Sequence, residues 1–450
     1  MGTAALANGI APEHVHETLR QWMLVDGMPV VVDLEASHGA TLVDSVSGRE
    51  YLDFFGCFGS CPIGWNHPAL RDPEWLRSTD AALANRPSNS DLYTREMAGF
   101  VKAFGEHALP DGYEHLFFID GGALAVENAL KAAFDWKVRR NRAKGVAADV
   151  GSMILHFRQA FHGRTGYTMS LTNTDPVKVA MFPKFPWPRV SSPTLRFPTD
   201  AAALETVRAE EARSLAEIDQ AFADHGDDIA AILIEPIQAE GGDRHFRPEF
   251  LQALQDRCER YDCLFLVDEV QTGFFTTGKP WAFEHYGIRP DIVCFGKKTQ
   301  QCGIFAGPKL DLVPDNVFAA SSRINSTWGG NLIDMMRCER VLGVIKADDL
   351  GGNAARQGER WLAGMAPIAA RFAGQVDNVR GRGLIFAFDL PDGAARNRCL
   401  REMKDAGLLA LACGSRTVRF RPHLAVTAGD VDLALERTLA ALGRLATSGS

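Results

Sequence analysis

Two segments of this chain end in residues able to do acid and amine chemistry together. One apolar run carries Asp268 at its end, within VDEVQTG. A carboxylate there is costly unless it meets a cation or a strong donor. A second apolar run, 291–295 (DIVCF), leads directly into Gly296-Lys297-Lys298. Neighbouring strands of one sheet could deliver the acid and an amine to the same edge, where open α/β sheets bind ligands. Taken alone, the residues read more simply as a structural Asp–Lys ion pair.

A glycine turn shifts that balance. The run 116–120 (LFFID) leads straight into Gly121-Gly122-Ala123, and a helix begins there, with Val126, Leu130, Ala133 and Phe134 at helical spacing on one face. Free backbone N–H groups and the helix dipole make such a turn a fitting place for a phosphate. A bare Gly-Gly turn is weak evidence. Joined to an acid and a lysine on the same sheet, it points to a phosphorylated cofactor that an amine can hold covalently.

The elements that must position these residues alternate between strand-like and helix-like. Runs at 153–157 (MILHF), 229–237 (IAAILIEPI) and 263–270 (CLFLVDEV) predict further strands. The segment 248–261 predicts a helix with Phe250, Leu251, Leu254 and Cys258 on one stripe. This is the pattern of an α/β fold with a largely parallel sheet covered by helices. From about residue 335 the character changes to amphipathic helices and short strands, including 383–390 (GLIFAFDL), Thr417–Phe420 and a last helix over 431–445. The expected division is a large domain over 66–335 and a smaller α+β domain built from 1–65 and 336–450.

Bulk properties exclude several classes. The 450 residues are 46% apolar and 23% charged, ordinary for a soluble globular protein, and long enough for two domains. A net charge of −8 leaves a nucleic-acid partner without an electrostatic basis. No run approaches the 20 or so apolar residues of a membrane span. The N-terminus lacks the regions of a signal peptide, and Leu6 stands where myristoylation needs Ser or Thr. The chain ends in a short polar Ser448-Gly449-Ser450 tail. Nine scattered cysteines suit reduced thiols in a cytoplasm. Cys57 and Cys61 are four apart, but no second ligand pair follows, so no metal site is expected. Asp120-Gly121-Gly122-Ala123 lacks the spaced glycines of a dinucleotide fingerprint, which sets a nicotinamide-dependent dehydrogenase aside.

The segments GGALAVENALKAAFDW, AFHGRTGYTMSLTNT, GGDRHFRPEF, FGKKTQ, NSTWGGN and TVRFRP resemble those of the class III aminotransferases over nearly the whole chain, from about Asp26 to Arg444. Within that group they are most similar to the bacterial L-lysine 6-aminotransferases. The resemblance implies a fold type I transferase using pyridoxal 5'-phosphate (PLP). Carried over position by position, it implies that Lys297 forms the Schiff base with the cofactor, with adjacent Lys298 the rival. Asp268 would hold a proton on the pyridine nitrogen, Gln271 would contact the phenolic oxygen and Phe161 would stack on the ring. Gly122 and Ala123 match the backbone phosphate binders. Ser326 and Thr327 match the position where a second subunit reaches the phosphate, which implies a homodimer with shared sites; 85–91 (NRPSNSD) looks like another partner-facing loop. After the lysine pair the chain departs from the family: where many members carry a run of glycines, only Gly303 follows Thr-Gln-Gln-Cys.

Three charges carry the substrate reading that the resemblance implies. Arg419 matches the arginine that grips the α-carboxylate of 2-oxoglutarate, and Arg421 is its rival. Glu240 matches the glutamate that masks this arginine while a diamino acid reacts at its distal amine. Arg164 matches an arginine holding the far carboxylate end of the substrate. The loop 55–61 (FGCFGSC), with Phe58, falls where the family lines the substrate pocket. The implied reaction transfers the ε-amine of L-lysine to 2-oxoglutarate. Ornithine, GABA or another ω-amine is the nearest alternative donor, and a catalytically silent binding protein is the rival from another class.

Overall fold

The computed structural model describes residues 9–146 and 150–447; Leu6 and the Ser448-Gly449-Ser450 tail lie outside the described residues. A seven-stranded sheet forms the centre. Its order is His115–Ile119, Cys302–Ala306, Ile292–Phe295, Leu264–Asp268, Ile229–Ile234, Met153–Phe157 and Arg189–Val190. Only Cys302–Ala306 runs antiparallel to its neighbours, so the other strands all point their C-terminal ends to one edge. The interior strands are buried on both faces, which explains why they read as continuous apolar runs rather than alternating ones.

The expected strand over 229–237 stops at Ile234, with a separate short strand at Ile237–Gln238. Pro236 has no N–H for a ladder. Glu235 bonds with its carboxylate instead, accepting from the backbone N–H groups of Phe161 and Ala239.

Helix Gly122–Ala143 covers one face of the sheet, burying Val126, Ala129, Leu130, Ala133 and Trp136. On the other face Phe295 packs among Phe104, Phe118, Trp281 and Phe305. Full burial of such a ring stabilises by about 1.5–3 kcal/mol, and it anchors the backbone one residue before Gly296-Lys297. A four-stranded antiparallel sheet, Asp377–Arg382, Ile385–Asp389, Thr417–Phe420 and Leu411–Cys413, lies in the C-terminal part. Leu408–Leu409 runs parallel to Glu50–Asp53, so the two ends of the chain share a three-stranded sheet. Among the described residues, no helix is long and apolar enough to cross a membrane.

Candidate active site

A cavity of about 340 Å³ opens at the C-terminal edge of the central sheet. Each parallel strand reaching it contributes the residues just past its end. Gly122 and Ala123 follow His115–Ile119, Lys297 follows Ile292–Phe295, Glu235 follows Ile229–Ile234, Phe161 and Arg164 follow Met153–Phe157, and Asp268 closes the strand that leads to Gln271. Cys302 enters from the start of the antiparallel strand.

The glycine turn is shaped by close approach. Helix Gly122–Ala143 begins after Gly121, at φ +98°, and has no side-chain cap. A Cβ on Gly122 would come within 2.8 Å of Val270, and one on Gly163 within 2.5 Å of the Ala123 methyl. The first helical N–H groups are therefore left without an intrahelical acceptor, beside a turn that only glycine fits. Glu127, from the same helix, accepts from the backbone N–H groups of Tyr167 and Thr168 and from the Thr165 hydroxyl. That ties the segment carrying Phe161 and Arg164 to the helix.

Asp268 is 5% exposed. Its Oδ2 accepts from His162 Nδ1 at 2.8 Å and its Oδ1 from the Val270 N–H at 3.0 Å. His162 is braced in turn, since Thr172 Oγ1 accepts from the backbone N–H groups of His162 and Gly163. The acid is thus oriented by a buried imidazole, not by the lysine that a simple ion-pair reading would supply.

The two lysines part company. Lys297 sits at φ +55°, a left-handed conformation that costs a non-glycine residue about 1–3 kcal/mol, and it lines the cavity. Burial, joined by the repulsion of Arg419 and opposed by Asp268, holds its amine below the ordinary lysine value. Lys298 is 2% exposed, does not line the cavity, and donates to the Gly59 carbonyl at 3.0 Å. Burial first, then Arg421 and Lys297, push it down to about 7.

Arg419 is 1% exposed, on the strand Thr417–Phe420. Its Nη2 donates to Glu240 Oε2 at 2.6 Å and its Nη1 to Gln271 Oε1 at 3.4 Å. Glu240 Oε1 accepts from Lys178 Nζ at 2.6 Å. Against the opposing effect of burial, Arg419 and Lys178 hold the Glu240 carboxyl below its ordinary value. Arg421 is fully buried and forms a two-pronged pair with Asp243, while its Nε donates to the same Gln271 oxygen. Arg164 is exposed, with its guanidinium 5.8 Å from the Phe161 ring centroid.

Arg419, Glu240, Phe58, Ser326 and Thr327 are not among the residues that line the cavity. Phe58, at φ +58°, is 52% exposed and meets Phe55 edge-on. Ser326 and Thr327 are held through their carbonyls by the hydroxyls of Ser90 and Ser88. The 85–91 segment and NSTWGGN are therefore one paired surface, over which Arg86 stacks on Trp328 at 4.2 Å. Sequence reasoning missed His162, Glu235, Asp243 and Lys178. The glutamate and aspartate spaced three apart at 240 and 243, mirroring the arginines at 419 and 421, were a usable signal for Asp243.

These residues fit PLP. The uncapped helix start suits a phosphate, the buried acid suits a ring nitrogen, the Phe161 face suits an aromatic ring, and the amine of Lys297 suits an aldehyde. The family profile "Aminotransferase class-III" matches residues 23–442. The L-lysine-epsilon aminotransferase of Mycobacterium tuberculosis (strain ATCC 25618 / H37Rv) is 49% identical, covering 96% of each chain. That of Amycolatopsis lactamdurans is 48% identical, covering 98% of each. The solved structure of the lysine aminotransferase from M. tuberculosis in the internal aldimine form superposes with a TM-score of 0.95 at 48% identity, covering 97% of this chain and 100% of that one.

Proposed function

The chain belongs to the class III aminotransferases, and we propose that within this family it is an L-lysine 6-aminotransferase using PLP. L-lysine gives its ε-amine and leaves as 2-aminoadipate 6-semialdehyde, which cyclises to piperideine-6-carboxylate; 2-oxoglutarate takes the amine and leaves as glutamate. The observation that carries the substrate assignment is the Arg419–Glu240 pair at 2.6 Å, joined through Arg419 to Gln271 of the cavity lining. With its α-carboxylate grip masked, the site favours a donor that reacts at the amine far from its α-carbon. An unpaired buried arginine would otherwise be costly.

When bound, PLP supplies an electron sink for charge developing at the substrate carbon that bears the transferred nitrogen. The chain's residues do the rest. Asp268, fixed by His162, holds a proton at the ring nitrogen. Lys297 Nζ, kept below the ordinary lysine value, is the amine that would hold the cofactor and would move the proton at the reacting carbon. The N–H groups of Gly122 and Ala123 receive the phosphate, and Phe161 covers the ring. Gln271 has its Oε1 engaged by Arg419 and Arg421, so its amide nitrogen would be the atom that donates to the cofactor's phenolic oxygen. Arg164, which lines the cavity, meets the far carboxylate.

The exposed surface around Ser326, Thr327, Trp328, Leu92 and Tyr93 supports a homodimer in which this loop pair completes the partner's phosphate site. The parallel pairing of Glu50–Asp53 with Leu408–Leu409 supports dividing the chain into 66–335 and a second domain made of 1–65 with 336–450. The odd, scattered set of nine cysteines supports a cytoplasmic setting.

The test is transfer from L-lysine carrying ¹⁵N only at the ε-amine to 2-oxoglutarate, followed by NMR of the glutamate. Labelled glutamate is the expected result. Unlabelled glutamate would overturn the substrate orientation, and no glutamate would send the search to ornithine and GABA. In the same assay Lys297→Ala is expected to lose multiple turnover, while Lys298→Ala retains it; the reverse would move the covalent role to Lys298.

A further inference from the structure

Glu240 faces two cations that differ in freedom. Arg419 is immobile: its strand is paired on both sides, by Ile385–Asp389 and by Leu411–Cys413, and its side chain is 1% exposed. Lys178 ends the short turn Pro176–Lys178, with a side chain 20% exposed. Its Nζ lies 5.7 Å from the ring centroid of Phe161, a residue that lines the cavity and that Arg164 also approaches. Between them, the Glu240 carboxylate gives one oxygen to each at 2.6 Å. The backbone on both sides of this glutamate is fixed. Its carbonyl accepts from the Gly414 N–H at 2.9 Å, and a Cβ on Gly241 would lie 2.1 Å from the Gln159 carbonyl oxygen. Movement of this glutamate is thereby confined to its side chain, which is 21% exposed.

We propose that Lys178 is the positioning residue that keeps Glu240 paired when it leaves Arg419, and so sets how readily the site admits a dicarboxylate. This rests on the reading of Arg419 and Glu240 as a carboxylate grip and its mask. A carboxylate swung away from Arg419 with no other partner would be partly buried and uncompensated. With Lys178 it exchanges two cations for one. Removing Lys178 takes the sole partner from the open arrangement but only one of two from the masked arrangement. The penalty therefore falls mainly on ligands that need Arg419 uncovered. A charged hydrogen bond between partly exposed groups is worth about ten-fold in affinity.

The test uses the holoenzyme and glutarate, a dicarboxylate that cannot react, with binding measured by calorimetry. Lys178→Met is expected to weaken glutarate about ten-fold, and Lys178→Arg to restore most of the loss. The KM for lysine in its isolated half-reaction should rise by a much smaller factor. In a Glu240→Ala background, Lys178→Met should no longer change glutarate affinity. An unchanged glutarate affinity in the single variant would overturn the proposal. So would an equal loss in the Glu240→Ala background, which would make Lys178 a direct ligand of the dicarboxylate. If the wild-type enzyme failed to take the ε-amine of lysine, the donor assignment would fall, while the glutarate comparison would still decide the role of Lys178.

Discussion

Arg419 and Arg421 stand two residues apart, both buried, both touching the Oε1 of Gln271, and each paired with a carboxylate from the segment 240–243. Their surroundings nevertheless make them different devices. Asp243 is 1% exposed and engages Arg421 with both oxygens, so neither partner has anywhere to go. The Arg421 carbonyl also lies where a Cβ on Gly56, at φ +51°, would sit 2.0 Å away, which locks the 55–61 loop against it. Glu240 is 21% exposed and has Lys178 as a second partner. One pair is structural because leaving it strands two charges in the interior. The other can open because one of its charges has an alternative.

The sharpest way to break this contrast is to cut the closed pair. Asp243→Ala leaves Arg421 buried and uncompensated, and is expected to destabilise the protein by about 3–5 kcal/mol in urea unfolding. A loss below about 1 kcal/mol would mean that Arg421 finds another acceptor and that the two pairs are not different in kind.

Cutting the open pair should read out in catalysis instead. Arg419→Ala leaves Glu240 with Lys178, so the stability loss should be smaller, about 1–2 kcal/mol. The kcat/KM for 2-oxoglutarate should fall roughly 100-fold, as expected for losing a buried charge-assisted contact to a carboxylate. If Arg421→Ala produced that selective loss while remaining folded, and Arg419→Ala did not, the carboxylate role would belong to Arg421.

How far these differences could be read from the chain follows from distance along it. The strand ends at Asp268 and at Phe295-Gly296-Lys297 declared themselves because buried strands are continuous apolar runs and a charge at their end stands out. The Gly121-Gly122 turn was legible for the same local reason. The break at Glu235-Pro236 was also local, carried by the proline, but the apolar run on either side masked it. The separation of Lys297 from Lys298 was not legible, since it depends on the left-handed backbone at 297 and on the carbonyl of Gly59, more than 200 residues away. Lys178 had no signal at all: nothing in Asp-Pro-Val-Lys says that its amine reaches across to Glu240. The resemblance to a family named positions for Arg419 and Glu240, but it named none for the neighbours that make one pair movable and the other fixed.

The smallest expected effect separates the pairs by pH. Burial alone would raise the Glu240 carboxyl, but Arg419 and Lys178 outweigh it and hold it below the ordinary glutamate value of 4.5. A carboxylate whose pKa is depressed on folding contributes stability that is complete above its unfolded value and is lost as pH falls through the folded one. Glu240→Gln keeps the shape but cannot carry the charge. The difference in unfolding free energy between wild type and this variant should therefore be flat above about pH 5, and should shrink as pH falls below 4.5. Because the carboxylate is partly exposed, its plateau should be modest, about 1 kcal/mol. A difference that instead grew toward acid pH would mean that the folded protein favours the protonated Glu240. The mask over Arg419 would then be a neutral hydrogen bond and not an ion pair.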